Sequence, residues 1–244
     1  MLRNYINIKE EDLEKPIYRV FSRERFIQLF ETKKLTLVKP KLWEDPFENY
    51  IMNATGKTKD GVQFTIAFRE KYYGQCWTTK RESDAIWRIY SPDKNGVKVK
   101  TTIRKLFEAL YTQTGKFKDI SCFIGKVQYF PTAKLLDLLA DPDNTKSNLT
   151  DTTGRGQAST LLLKRMAFSH EKEVRLIYNS PNELHSDIYE FDINPFNLID
   201  QIVFDPRIED SNYKADKELL RNWGYEKGIV KSGLYKIPNL EFSI

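Results

Sequence analysis

The stretch Ser169-His170-Glu171-Lys172-Glu173-Val174-Arg175-Leu176-Ile177-Tyr178 sets two carboxylates one residue apart at the head of a β-branched and aromatic run. If the segment is extended, alternation puts Glu171 and Glu173 on one side, with Arg175 beside them as local counter-charge. Val174, Leu176 and Tyr178 then point the other way, toward a core. The run predicts a strand that opens at Glu173. Paired acids at a strand entrance suit the chemistry of a transferase or hydrolase. They suit an ordinary polar strand edge equally well, so the surrounding sequence has to separate the two.

Just upstream, Leu161 to Phe168 predicts a basic helix carrying Lys164 and Arg165, and Asp141 to Ser159 a polar insertion or lid. Phe123 to Phe130 predicts a strand. Ile103, Leu106, Phe107, Leu110 and Tyr111 form one helical stripe that Gly115 ends. Gly96 to Lys100 alternates as a strand, and Tyr72 to Thr79 is a strand ending in hydroxyls. Asn53 to Gln63 is polar and reads as a mobile loop. Nearer the start, Ile17 to Phe21 reads as a strand, Ser22 as the N-cap of a helix through Phe26, Leu29 and Phe30, and Leu35 to Val38 as a second strand. Downstream, strands over Ile188–Ile193 and Leu198–Phe204 precede a helix through Leu219, Leu220 and Trp223. The order is not a regular βαβ alternation. It predicts one α+β domain over residues 1–244, with a split or strongly bent mixed or antiparallel sheet and flanking helices.

Bulk properties narrow the class. A chain of 244 residues with 40% hydrophobic and 13% aromatic residues can bury a sizeable core. A net charge of +5 is compatible with a nucleotide or nucleic-acid partner without demanding one. Two cysteines, Cys76 and Cys122, do not make a disulfide framework. No apolar run reaches the length of a membrane span, and Met1-Leu2-Arg3-Asn4 is not followed by a signal-peptide core, so a soluble cytoplasmic protein is expected.

Two histidines, His170 and His185, and no Cys/His spacing argue against a zinc site. Asp45, Glu48, Asp84 and Glu173 remain as carboxylates that a magnesium-dependent nuclease would use. Gly154-Arg155-Gly156-Gln157 lacks the Lys-Ser/Thr of a phosphate loop, and no Gly-x-Ser-x-Gly elbow exists. What is left, in chain order, is Arg19 on the first strand, Thr78-Thr79 at a strand end, and Glu171-x-Glu173.

With these pieces the chain resembles a bacterial family of unknown function (domain of unknown function 2971). The resemblance runs through Tyr18-Arg19, Leu35-Thr36-Leu37, Trp43-x-Asp45-Pro46-Phe47-Glu48, Cys76-Trp77-Thr78, Trp87-x-x-Tyr90 with Gly96-Val97, and His170-Glu171-x-Glu173-x-Arg175-Leu176-Ile177. More distantly it is similar to ADP-ribosyltransferases of the Arg–Ser/Thr–Glu type, with Thr-Thr in place of Ser-Thr-Ser. That likeness implies an ADP-ribosyltransferase-like fold, NAD as substrate, and transfer of ADP-ribose to a protein or nucleic-acid acceptor, in a setting such as phage defence or a toxin system. It implies Glu173 as the catalytic carboxylate, Glu171 on the acceptor side, and Arg19 gripping a phosphate or ribose. Thr78 would support the ribose or the glutamate, Trp87 or Tyr90 would pack against nicotinamide, and no metal is needed. Two other classes stay open: the magnesium nuclease, and a non-catalytic nucleic-acid- or partner-binding module built on Lys57, Lys59, Lys164 and Arg165.

Overall fold

A computed structural model describes residues 2–49, 55–57, 60–65, 70–182, 184–239 and 241. In chain order the strands are β1 (Tyr5–Ile6), β2 (Pro16–Phe21), β3 (Lys34–Val38), β4 (Thr55–Lys57), β5 (Gln63–Thr65), β6 (Tyr72–Thr78) and β7 (Val97–Thr102), followed by β8 (Cys122–Lys126), β9 (Gln128–Phe130), β10 (Leu163–Arg165), β11 (Glu173–Asn179), β12 (Ile188–Asp192), β13 (Gln201–Phe204) and β14 (Gly228–Lys231). The longer helices are α1 (Arg23–Thr32), α2 (Asp84–Tyr90), α3 (Ile103–Tyr111), α4 (Thr132–Ala140), α5 (Pro142–Leu149), α6 (Arg155–Thr160) and α7 (Asp210–Asn222). The α+β class with mixed sheets and flanking helices is thus as the sequence predicts. The chain forms two compact units, 1–17 with 34–79 and 102–193, and 18–33 with 80–101 and 194–244.

In the first unit β11 is central. It pairs antiparallel with β6 on one edge and with β8 on the other, and β1 runs parallel to β8. β3 pairs antiparallel with β6 and with β12. Strands flanked on both edges and covered on both faces read as near-continuous apolar runs, and six successive residues of β11, Glu173 to Tyr178, are buried. One apolar cluster gathers Tyr72, Phe123, Ile177, Leu135, Leu161 and Leu162, with Trp43 and Phe47 packed against it. The α3 stripe is buried as predicted, and Thr102 caps the helix by accepting the Lys105 N–H.

Four expectations change. Leu161 to Phe168 is not a helix: β10 pairs in parallel with β9 and runs into a 3-10 turn, Met166–Glu171. The strand expected over Phe123–Phe130 breaks at Val127 into β8 and β9. The polar stretch 141–159 is largely helical, Asp141 capping α5 through the Asp143 and Asn144 amides, with Ala158 of α6 fully buried. Within the expected loop at 53–63, β4 pairs with β5. Residues 53, 54, 58 and 59, Lys59 among them, lie outside the described residues.

In the second unit β7 pairs antiparallel with β13, which runs parallel to β14. Ser22 caps α1 by accepting the Arg25 N–H at 3.3 Å, as the sequence predicts. Phe26, Leu29 and Phe30 form its buried face. No helix among the described residues is long and apolar enough to cross a membrane.

Candidate functional site

The turn before β11 makes the site. Lys172 takes a left-handed conformation, with φ of 46°, which costs a non-glycine residue about 1 kcal/mol or more and persists where the surroundings over-determine it. Here β6 does so. Thr78 stands opposite Glu173 in the ladder, and its hydroxyl donates to the Glu171 carbonyl at 2.5 Å. The Thr79 amide donates to the Lys172 carbonyl at 3.0 Å. Glu171 therefore ends a 3-10 turn instead of extending the strand, and simple alternation does not place it. The two carboxylates converge all the same.

They converge on Lys164. Its ammonium lies 2.5 Å from Glu171 Oε2, 2.6 Å from Glu173 Oε1 and 2.8 Å from Glu48 Oε1. The Phe168 ring stands 4.6 Å away. Arg175, fully buried, completes the cluster. Its Nε donates to Glu173 Oε2 and its Nη2 to Glu48 Oε2, each at 2.7 Å, while Nη1 donates to the Leu161 carbonyl at 2.7 Å. The guanidinium lies 4.4 Å from the Trp43 ring. Gly74 makes room for that ring: a Cβ there would come within 2.7 Å of Trp43 Cζ2. Beside the cluster, Asp45 takes a two-pronged hydrogen bond from Arg165 at 2.8 and 3.1 Å.

Burial and charge drive the two glutamates apart. Burial raises the Glu171 carboxyl to about 7; a hydrogen bond to Glu173 adds to the rise and Lys164 opposes it. Burial also works against ionised Glu173, but Arg175, Glu171 and Lys164 outweigh it and hold that carboxyl well below the ordinary range. Burial raises Glu48 as well, against Arg175 and Lys164. For Lys164 burial is overcome by its three carboxylates, which keep it charged. Pairs of carboxyls pushed apart in this way are where acid–base roles divide.

Glu173 faces a cleft of about 480 Å³, also lined by Lys15, Thr79, Lys126, Tyr129 and Lys172. Asp12 accepts from Lys15 at 2.6 Å and from Lys126 at 2.5 Å. The Tyr129 hydroxyl accepts the Glu173 amide at 2.8 Å.

Of the residues singled out from the sequence, Thr78, Glu171 and Glu173 are thus brought together in the first unit. Arg19, Trp87 and Tyr90 belong to the second. Arg19, on β2, lies 5.3 Å from the Phe21 ring. Trp87 is fully buried, its indole N–H donating to Glu82 at 2.9 Å, whereas Tyr90 is 47% exposed. Two residues offered for a nucleic-acid surface are differently engaged, since Lys164 is buried among carboxylates and Arg165 is paired with Asp45. Three of the four nuclease carboxylates, Asp45, Glu48 and Glu173, are committed to those cations. No group of three His, Cys, Asp or Glu among the described residues is arranged to hold a metal ion. From the sequence Tyr129 had no role, and Glu48 was offered only as a metal carboxylate and Lys164 only as part of a basic surface. Glu48 and Arg175 are 127 residues apart and Tyr129 and Glu173 are 44 apart. The signal available was the acid- and aromatic-dense Trp43–Glu48 turn.

A family model described as "protein of unknown function (DUF2971)" matches residues 86–176. That span takes in Trp87, Tyr90, Lys164 and the Glu171–Arg175 motif, and leaves out Arg19 and the Trp43–Glu48 turn. No curated protein matches the sequence. Similar solved structures include DarT of Thermus sp. 2.9 in complex with NAD+, at 11% identity and a TM-score of 0.39 over 90% of this chain and 96% of that one. The same protein in complex with carba-NAD+ gives 12% and 0.39 over 92% and 97%. Its complex with ADP-ribosylated ssDNA gives 11% and 0.39 over 90% and 94%.

Proposed function

We propose that this protein is an NAD-consuming ADP-ribosyltransferase-like enzyme that passes ADP-ribose to a protein or nucleic-acid acceptor. One observation carries the reading. The glutamate that opens β11, where the Arg–Ser/Thr–Glu resemblance puts the catalytic carboxylate, lines a cleft and is held ionised by two buried cations.

Cleavage of NAD breaks the bond between ribose C1′ and the nicotinamide nitrogen. The electron pair leaves with nicotinamide, and positive charge grows on the sugar, as in glycoside cleavage. A carboxylate fixed beside that sugar stabilises the charge without reorganising. Glu173 is fixed by Lys164 and Arg175 and shares a hydrogen bond with Glu171. A carboxylate has about four lone-pair positions, so about one remains to accept from a ribose hydroxyl. The acceptor then bonds to C1′ and gives up a proton, for which Glu171 is the base. Thr78 holds the turn that carries Glu171. Arg19 keeps the phosphate- or ribose-gripping role the resemblance implies, through a planar, permanently charged fork. Tyr90, with its exposed ring, takes the aromatic role in preference to buried Trp87.

The test is incubation with labelled NAD, alone and with cell extract as a source of acceptors. Glu173→Gln should cut nicotinamide release and label transfer on the order of a thousandfold, and Arg19→Ala should weaken NAD binding about tenfold or more. A folded wild type that neither binds nor consumes NAD, with or without extract, would overturn the reading.

A further inference from the structure

Five ionisable side chains meet at the head of β11: Glu48, Glu171 and Glu173 against Lys164 and Arg175. Three carboxylates facing two cations leave one negative charge over if every group is ionised, and a buried uncompensated charge is costly. The contacts are not equal. Arg175 reaches Glu48 and Glu173, while Lys164 reaches all three carboxylates. Within the cluster Glu48 and Glu173 thus share two cations, and Glu171 shares one.

We propose that Glu48 and Lys164 are positioning residues with opposite effects on one proton held on Glu171: Glu48 favours the proton by drawing on both cations, Lys164 limits how firmly it is held, and the balance leaves Glu173 ionised. Lys164 is the one cation of the cluster that touches all three carboxylates, so it ties Glu48 and both glutamates of the Glu-x-Glu pair into one geometry. Glu48 takes part of the charge of both cations, and that share is withdrawn from Glu171. The groups facing Glu171 agree with the assignment. Glu173 on β11 accepts the proton's hydrogen bond, Lys164 on β10 supplies the cation, the Tyr129 phenol on β9 stays neutral because burial pushes it up, and Thr78 on β6 donates to the Glu171 carbonyl.

The functional consequence rests on the transferase reading. A base that holds its proton until about pH 7 can take a proton from an acceptor only above that pH, so Glu48 and Lys164 would set where transfer switches on.

The test is a titration of the full chain labelled with 13C at glutamate Cδ, with Glu171→Gln identifying the Glu171 resonance. The wild-type midpoint is expected near 7. Glu48→Gln removes one negative charge and should lower the midpoint by about one pH unit or more. Lys164→Met should raise it by a similar amount, and Lys164→Arg should restore most of the change. If Lys164→Met does not fold, Glu48→Gln and Lys164→Arg decide. A midpoint unmoved in Glu48→Gln, or equal in Lys164→Met and Lys164→Arg, would overturn the proposal. The titration needs no NAD. A chain that titrates as expected yet leaves NAD intact retires the transferase reading alone, and one that consumes NAD with an unmoved titration retires this proposal alone.

Discussion

The first unit encloses a cluster of five ionisable side chains centred on Lys164, whereas the second encloses aromatic rings around Phe30. Phe26, Phe196, Tyr225 and Trp223 surround that ring at centroid distances of 5.2, 5.7, 5.9 and 6.0 Å. Both centres are buried, and they obey different arithmetic. Each buried ring stabilises folding by roughly 2–3 kcal/mol through area alone, with little dependence on direction or pH. Each buried ion costs several kcal/mol of lost hydration, on the order of what its partners return, so an apolar set of the same volume would fold about as well. The rings are explained by stability. The ions are not, and they sit beside the cleft. A cluster that is neutral for folding and exact in its contacts is best understood through what it does to Glu171 and Glu173.

The two regions should differ most at Arg175. Arg175→Leu leaves Glu48 and Glu173 without their shared guanidinium and should cost about 5 kcal/mol at pH 7. The sign follows from Glu173, whose carboxyl is depressed in the fold. Its contribution is present above the unfolded carboxylate range and is lost as pH falls below it. The penalty measured by denaturant unfolding should therefore shrink toward pH 4, as the stranded carboxyls take up protons. Phe30→Ala removes the central ring of the other core and should cost about 4 kcal/mol, by the same amount at pH 5 and pH 8. Parallel pH dependences in the two variants would erase the distinction between the regions.

A smaller effect sharpens it. Glu171 is raised from an ordinary 4.5 to about 7, so between those values the folded chain keeps a proton that the unfolded chain has released. Stability then falls as pH rises through that window, by up to about 3 kcal/mol. Glu171→Gln keeps a donor toward Glu173 and cannot ionise. It should unfold at higher denaturant than the wild type at pH 8 and at nearly the same denaturant at pH 4.5. A variant less stable at pH 8 would show that the wild-type carboxyl is ionised there without cost.

Much of this was legible in the sequence, and the reasons are local. The start of β11 at Glu173, the buried stripe of α3 and the Ser22 cap each follow from a pattern a few residues long, and the structure bears them out. Arg175 as counter-charge to Glu173 follows from alternation across one intervening residue. Lys164 was misread because Leu161-Leu162-Leu163-Lys164-Arg165 has helical composition. It becomes a strand only by pairing with β9, more than thirty residues earlier in the ladder register. Propensity loses to such pairing. Glu48 was read only as a candidate metal carboxylate for the same reason at larger scale, since nothing near it in the chain reveals a partner on β11. The turn at Lys172 escaped because a lysine carries no signature of left-handed backbone.

That turn has a consequence in time. Glu173 belongs to a strand hydrogen-bonded along both edges, by β6 and by β8, the kind of backbone whose amides exchange with solvent only when the whole unit opens. Glu171 is the last residue of a 3-10 turn, a weakly bonded form that frays on its own. One carboxylate of the pair stands in the strand ladder, and the other stands on a turn held to the end of β6 through the Thr78 hydroxyl and the Thr79 amide. The amides of residues 169–171 are expected to exchange with solvent faster than those of β11, which hydrogen-exchange measurements would read.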